Sequence, residues 1–290
     1  MINGLPNLGN TCFINSIIQV LKNLKINHNY VYKPTNHFRQ NEQNDQHDFL
    51  LYILDYINDQ TAIKKTVSLQ QLTNLSKLQM KAYKNLNQYG FTINNKKNES
   101  NEIYISNIYN FIGQRLIRIK CCKCNNIKIK FDIFKSLELN IMEKANLNIY
   151  ECLDYNYYNT TQIDDYFCKK CNIKNKALQS TMIWRLPNIL SILFIRNICR
   201  NNKMYKNNSN IDFPDLLNMD KYYAINSKEK QTYILNSIAY HYGNYNSGHC
   251  VAACRVQNNW FLCDDLTITK MENYKTEGAY ILFYNKIKSE

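Results

Sequence analysis

Proline and glycine are scarce, four and seven residues in a chain of 290, and no stretch rich in them divides it. With so few of the residues that punctuate a chain, no linker separates two halves, and a single compact unit is expected. No run approaches the roughly 20 apolar residues that a membrane helix needs. The opening Met1-Ile2-Asn3-Gly4 lacks the basic-then-apolar order of an export signal, so neither secretion nor a membrane partner is expected. No repeat of solenoid period is visible. Acidic residues are also in deficit, 23 against 36 Lys and Arg, for a net charge of +13. The lysines are scattered among asparagines, isoleucines and tyrosines rather than gathered in a stripe. That texture reads as a solvated basic surface, not as a specific nucleic-acid site.

What the chain does have is cysteine, eleven in all. An odd number without an export signal argues against a disulfide framework and for thiol or metal chemistry in a reducing compartment, cytoplasm or nucleus. At 45% hydrophobic residues the chain can bury a sizeable core. Ile14, Ile17, Ile18 and Leu21 recur at helical spacing after Gly9-Asn10-Thr11, which predicts a helix starting near Cys12. Phe49, Leu50, Ile53, Leu54 and Ile57 mark a second helix, capped by Asn44 or Asp45. From about Ile103 the texture turns to short runs rich in β-branched and aromatic residues. Leu116–Lys120, Ile127–Phe134, Tyr233–Ala239, Val251–Val256, Trp260–Cys263 and Gly278–Tyr284 read as strands, with asparagine-rich loops at 94–101 and 201–210. Helices first and strands afterwards make the fold class α+β.

A thiol becomes a strong nucleophile when its thiolate is stabilised, and a helix N-terminus does this with unpaired N–H groups and its dipole. Cys12 is placed there. His249, after Gly248 and ahead of the strand Val251–Val256, is a base held by a rigid element; His241 and His47 are the competing imidazoles. The strand Trp260–Cys263, returning in a hairpin, brings Asp264 and Asp265 back beside His249, where either can orient the ring. Asn7 offers a side-chain amide for an oxyanion. Two Cys-x-x-Cys units, Cys121 with Cys124 and Cys168 with Cys171, form the pattern of a four-thiolate structural zinc site, with Cys122 competing for register.

Taken together, these boxes resemble the ubiquitin-specific proteases, papain-like deubiquitinating enzymes, over essentially the whole chain. Gly4-Leu5-Pro6-Asn7-Leu8-Gly9-Asn10-Thr11-Cys12-Phe13-Ile14-Asn15-Ser16 is similar to the family's cysteine box, and Gln43-Asn44-Asp45-Gln46-His47-Asp48-Phe49-Leu50 to its glutamine and aspartate box. Phe111 to Cys124 and Tyr166-Phe167-Cys168 resemble the two zinc knuckles. His241 to Val251 with Trp260 to Asp265 resembles the histidine box, with Cys250 in place of the usual aromatic. The resemblance implies a papain-like fold with a thumb to about residue 102, zinc-bearing fingers to about 196 and a palm to 290. It implies Cys12 as nucleophile, His249 as base, Asp264 as its orienting acid, Asn7 as oxyanion donor and Asp265 assisting. Asp45 and Asp48 are then contacts for the arginines of the ubiquitin tail, and the loop Tyr242–Ser247 a gate over it. The partners implied are ubiquitin and ubiquitinated proteins, in some members with an activating protein, and a monomer is the expected unit. Two other readings are a silent ubiquitin-binding scaffold, which requires a broken triad, and a zinc module for nucleic acid, which leaves the cysteine and histidine boxes unexplained.

Overall fold

The structure, a computed structural model, describes residues 2–26, 38, 41–61, 63–67, 76–86, 101–105, 107–157, 159–224, 230–244 and 247–287. The asparagine-rich loop 94–100 and the centre of the expected gate, 245–246, lie outside them.

Helix α1 (Cys12–Asn23) begins at the residue singled out above. The turn ahead of it needs left-handed backbone at two successive positions, Gly9 (φ 95°) and Asn10 (φ 52°), which a glycine and an asparagine adopt at little steric cost. Helix α2 (Gln46–Thr61) buries the stripe Phe49, Leu50, Ile53, Leu54 and Ile57. Asp45 is its cap, not Asn44: Asp45 Oδ1 accepts the N–H groups of His47 (2.6 Å) and Asp48 (3.3 Å), while the Asn44 amide turns back to Glu42 O. Phe13, Phe38 and Phe49 lock the two helices together with ring centroids 5.6–5.8 Å apart. Such aromatic pairs add about 1 kcal/mol each beyond the area they bury.

Ile63–Val67 (β1) pairs antiparallel with Asn101–Ile105 (β2), and a short helix, Lys77–Asn85, lies between them in sequence. Gly113–Cys121 (β3) and Ile127–Phe134 (β4) form a hairpin. Leu137–Asn140 (β5), Asn146–Asn148 (β6) and the helix Ile149–Tyr157 follow, then a second hairpin of Thr161–Cys168 (β7) and Ile173–Arg185 (β8). The two hairpins join as an antiparallel four-stranded sheet in the order β4-β3-β8-β7, which sets the tips Cys121–Cys124 and Cys168–Cys171 side by side.

After Ile189–Ile195 (β9), the chain makes a hairpin of Asn197–Arg200 (β10) and Lys203–Lys206 (β11), whose turn is Asn201-Asn202, both at positive φ (49° and 58°). This two-residue asparagine turn suits the twist of paired strands. Asn210–Asp212 (β12), Leu216–Asn218 (β13), Thr232–Gly243 (β14), Gly248–Val256 (β15), Asn259–Asp264 (β16), Thr267–Met271 (β17) and Ala279–Lys286 (β18) complete the described strands. The main sheet runs β17-β16-β15-β14-β18-β9-β5, with β13 on β14. It draws β5 and β9 from the stretch 103–196 expected to be fingers, and β9 is buried along six of its seven residues.

Helices cover one face of this sheet, with Ile281 and Phe283 of β18 packing among the residues of α1 and α2. Leu282 and Tyr284 face the opposite cluster, where Leu153 of the helix Ile149–Tyr157 lies. A strand buried on both faces reads as a continuous apolar run, which is why Gly278–Tyr284 was legible as an interior strand.

Candidate active site

The segment before α1 is folded around one side chain. Asn7 Oδ1 accepts the N–H groups of Gly9 (3.2 Å) and Thr11 (3.0 Å), and the Thr11 hydroxyl (3.3 Å). The Asn7 amide nitrogen donates to Asp265 Oδ2 (2.9 Å), while Asn15 Nδ2 donates to Asp265 Oδ1 (2.7 Å) and Leu5 N–H to the Asp265 carbonyl (2.8 Å). Asp265 sits in the turn after β16 at φ 48°. It therefore ties the start of the chain to the end of a palm strand, with both carboxylate oxygens engaged by asparagines. One hydrogen of the Asn7 amide is used in this way, and the second remains to be aimed elsewhere.

Cys12 opens α1, where the first-turn N–H groups have no intrahelical partner. Its side chain is buried, only 7% exposed. The strand β15 starts at Gly248, three residues before the predicted Val251, so His249 stands within the sheet. His249 Nε2 lies 2.6 Å from Asp264 Oδ1 at the end of β16, both side chains half-buried. With Nε2 held by Asp264, Nδ1 is the ring nitrogen left free to serve Cys12. The electrostatics are those of a thiolate and an imidazolium. Hydrogen bonding from the Cys250 thiol lowers the Cys12 pKa to about 6 against the opposing effect of burial, with help from the Cys250 N–H and from His249. Burial pulls His249 down, but the hydrogen bonds to Asp264 and Cys12 outweigh it and leave its pKa above the ordinary imidazole value.

The competing histidines are placed elsewhere. His241 lies on β14 beside the Tyr280 ring, centroids 6.0 Å apart, and burial lowers its pKa. His47 is buried in the first turn of α2 and is likewise pushed toward the neutral form.

Two features that hold His249 have no periodic signature in the sequence. Gln43 clamps the main chain of Gly248, its Oε1 accepting the Gly248 N–H (3.0 Å) and its Nε2 donating to the Gly248 carbonyl (3.3 Å). Gly248 itself is tightly surrounded: a Cβ there would lie 2.2 Å from the Tyr242 carbonyl oxygen and 2.5 Å from His241 Nε2. Gly248→Ala must push β15 away from β14 and displace the neighbouring imidazole. The expected result is a fall of roughly 10²-fold in kcat/KM, the scale set by a displacement of about 1 Å at a reacting group. Steady-state kinetics on the variant, with circular dichroism to confirm the fold, checks this.

The other predicted substrate contacts flank a groove. Asp45, besides capping α2, accepts the Tyr280 hydroxyl at its Oδ2 (2.7 Å), and Asp48 is exposed in the first turn of α2. Gln43, Asp45, His241, Ser247, Tyr280 and Cys250 line a cleft between the start of α2 and the palm sheet.

At the fingertips the Sγ atoms of Cys121, Cys124, Cys168 and Cys171 all lie within 4.8 Å of one another, with Cys121 to Cys171 at 3.9 Å and Cys124 to Cys168 at 3.6 Å. Sulfurs tetrahedral around zinc at about 2.3 Å stand about 3.8 Å apart, so this donor set fits a structural zinc ion. The two knuckles share one local design. In each, an asparagine at positive φ, Asn125 (56°) or Asn172 (53°), follows the second cysteine and donates its N–H to the carbonyl of the first. Cys122 is exposed and stays out of the cluster, which resolves the register.

The chain has relatives among known proteins. The family model described as ubiquitin carboxyl-terminal hydrolase matches residues 3–41 and 28–284. Ubiquitin carboxyl-terminal hydrolase 8 of Saccharomyces cerevisiae is 27% identical over 98% of this chain and 70% of its own length. Ubiquitin carboxyl-terminal hydrolase Usp2 of Drosophila melanogaster is also 27% identical over 98% of this chain, which spans 34% of that protein. Among solved structures, the SAGA Ubp8/Sgf11/Sus1/Sgf73 DUB module bound to ubiquitin aldehyde superposes with a TM-score of 0.70 at 24% identity, covering 99% of this chain and 70% of that one. That likeness carries the fold, and the family match carries the class of chemistry. The chain belongs to the ubiquitin carboxyl-terminal hydrolase family, as a cysteine-type deubiquitinating enzyme of papain-like fold.

Proposed function

We propose that Cys12, His249 and Asp264 hydrolyse the isopeptide or peptide bond at the C-terminal glycine of ubiquitin, with Asn7 holding the oxyanion. The observation that carries this assignment is the line Cys12, His249, Asp264, in which hydrogen bonding from Cys250, with help from His249, acidifies the thiol, and Asp264, with help from Cys12, makes the imidazole more basic. The Cys12 thiolate attacks the glycine carbonyl, and the free hydrogen of the Asn7 amide and the Cys12 N–H meet the oxygen as it becomes negative. His249, protonated, gives its proton to the leaving lysine amine, and the thioester remains on Cys12. His249 then takes a proton from water, whose oxygen attacks the thioester and frees ubiquitin. Asp264 keeps the ring oriented throughout. Asp265 acts through Asn7, whose loss removes a donor of a kind that contributes about 10²-fold to 10³-fold to kcat.

Substrate reading follows the same layout. The groove lined by Asp45 and Tyr280 ends at Cys250, the residue after His249 on β15, so a narrow peptide tail entering it is directed toward the catalytic line. Asp45 and Asp48 offer carboxylates to arginines of that tail. In this reading α1 and α2 form the thumb, the four-stranded sheet the fingers that hold the body of ubiquitin, and the main sheet the palm. A structural zinc ion belongs at the four fingertip thiolates and takes no part in bond cleavage. The catalytic line is drawn from one chain, so the active unit proposed is a monomer, and any accessory protein would act on a line already made of this chain's residues. All eleven cysteines are free, and no helix among the described residues is long and apolar enough to cross a membrane; cytoplasm or nucleus suits such a thiol enzyme.

The pH dependence tests the catalytic pair. With the Cys12 pKa near 6 and that of His249 raised, the thiolate with a protonated imidazole is the major form between the two values. For hydrolysis of a ubiquitin C-terminal amide, kcat/KM rises with pH through about 6, and falls where His249 loses its proton, above the ordinary imidazole value. The two apparent values belong to the pair. Asp264→Asn removes the carboxylate that favours the imidazolium and draws the alkaline limb to lower pH. An acid limb near the ordinary thiol value contradicts the assignment.

A further inference from the structure

The two strands that meet at His249 run on past their outer neighbours. Pairing of β14 with β18 ends at Tyr240 opposite Ala279, and pairing of β15 with β16 at Ala252 opposite Cys263. Beyond those points β14 and β15 continue as a two-stranded spur, with Tyr242 opposite His249 and Gly243 opposite Gly248. Two strands by themselves are only marginally stable in water, so what grips the spur bears on where the imidazole stands. On the β15 edge the grip is Gln43, which takes both the N–H and the carbonyl of Gly248. On the β14 edge it is Lys206. The His241 N–H donates to the Gly278 carbonyl (3.0 Å), and main-chain groups of residues two apart point to the same edge. The carbonyls of His241 and Gly243 thus face past the start of β18, and the Lys206 ammonium donates to both, at 2.8 and 3.0 Å. An ammonium carries three donors and no acceptor, and its charge-assisted bonds are stronger than those between neutral groups.

Lys206 can hold the spur because its own root is fixed. It is the last residue of β11, and the next residue, Asn207, donates its N–H to the Arg196 carbonyl (2.7 Å). The Arg196 side chain, 3% exposed, donates in turn to the carbonyls of Asn207 and Ser209 (3.0 Å each) and of Ala279 (2.9 Å). Support therefore runs from the start of β18 through Arg196 to the backbone beside Lys206, and from its ammonium to the tip of β14. We propose that Lys206 is a positioning residue for His249: its ammonium and the Gln43 amide clamp the two edges of the spur and keep the imidazole in line with Cys12. This rests on Cys12 and His249 being the catalytic pair. Lys206 also lines the groove with Asp45 and Tyr280, so contact with the substrate tail is the competing role. Kinetics separate the two. A clamp acts on the transition state through His249 and is felt in kcat, whereas a contact kept from the bound state onward is felt in KM.

The test uses the zinc-loaded full chain with two substitutions. Lys206→Met keeps the length and apolar stem of the side chain and removes its donors, while Lys206→Arg keeps donors in reach of the two carbonyls. With a ubiquitin C-terminal amide, Lys206→Met should lose about tenfold in kcat with KM moving less than about twofold, and Lys206→Arg should regain most of that loss. Amide hydrogen exchange on the same proteins should quicken in Lys206→Met at Tyr242 and His249, while β9 and β18 stay as protected as in the native chain. That pattern marks a loosened spur in an intact fold. A raised KM with native kcat, native kinetics throughout, or unchanged protection of the spur in Lys206→Met overturns the proposal. The exchange measurement needs no turnover. A spur that loosens in Lys206→Met, in a protein whose native form lacks Cys12-dependent hydrolysis, defeats the proposed function alone. Native hydrolysis that Lys206→Met leaves unchanged defeats the clamp alone.

Discussion

Cys12→Ala removes turnover of a ubiquitin C-terminal amide by a factor on the order of 10⁴ or more, the scale on which loss of a covalent nucleophile is felt. The fold should survive the change. Cys12 is small, lies at the first position of α1, and gives way to the residue with the highest helix propensity. The side chains that shape its surroundings, Asn7, Asn15 and Gln43, bond to one another's segments and not to its sulfur. Ubiquitin binding is therefore expected to persist while kcat collapses, a split that a folding defect does not produce. His249→Ala should match it in kcat, because the two residues act as one unit and their effects do not add. By contrast, Cys122→Ser and Cys199→Ser, at exposed thiols away from the catalytic line, should turn over as the native chain does. Retained turnover in Cys12→Ala, with loss in one of these controls, places the nucleophile elsewhere.

Removing metal from the fingertips has the second large effect, on binding more than on chemistry. One zinc per chain is the expected content by elemental analysis, falling sharply in Cys168→Ser and unchanged in Cys122→Ser. The reason lies in how the fingers are built. Beyond the small cluster of Ala82, Leu116 and Phe131, the four-stranded sheet has little core of its own, and Ile127, Phe167 and Leu178 stand exposed on it. Without the ion the four thiols at its tip have nothing to join them, whereas the free energy of structural zinc sites reaches about 10–16 kcal/mol in small domains. Chelation should therefore release amide protection at 113–134 and 161–185 while the main sheet, packed on both faces, keeps its own. With the grip on the body of ubiquitin loosened, KM should rise about tenfold and kcat change much less. Full amide protection of the fingers in metal-free protein contradicts this account.

The elements legible in the sequence were those with a local, periodic cause. The stripe from Phe49 to Ile57, the run Ile127–Phe134 and the apolar Gly278–Tyr284 each announce a surface to be buried, and each lies in the predicted element. The Cys-x-x-Cys pairs were legible because metal spacing is itself local. What escaped notice depends on segments far apart in the chain. Gln43 meets Gly248 across 205 residues, and Asp265 holds Asn7 across 258, through single hydrogen bonds that leave no pattern in either segment. The strand β9 was read with the fingers because it follows the second knuckle, yet its burial on both faces places it in the main sheet beside β18. Cys250 was visible only as a departure from an aromatic; its place in the lining of the groove is a product of the fold.

The most direct test of the central claim is to react the purified, zinc-loaded chain with ubiquitin carrying a thiol-reactive group at its C-terminus, and to weigh the product intact. A single adduct on the native chain, mapped to Cys12 and absent from Cys12→Ala, is the predicted result, joining ubiquitin recognition to the nucleophile in one measurement. No adduct on folded native protein, or one that persists in Cys12→Ala, contradicts it.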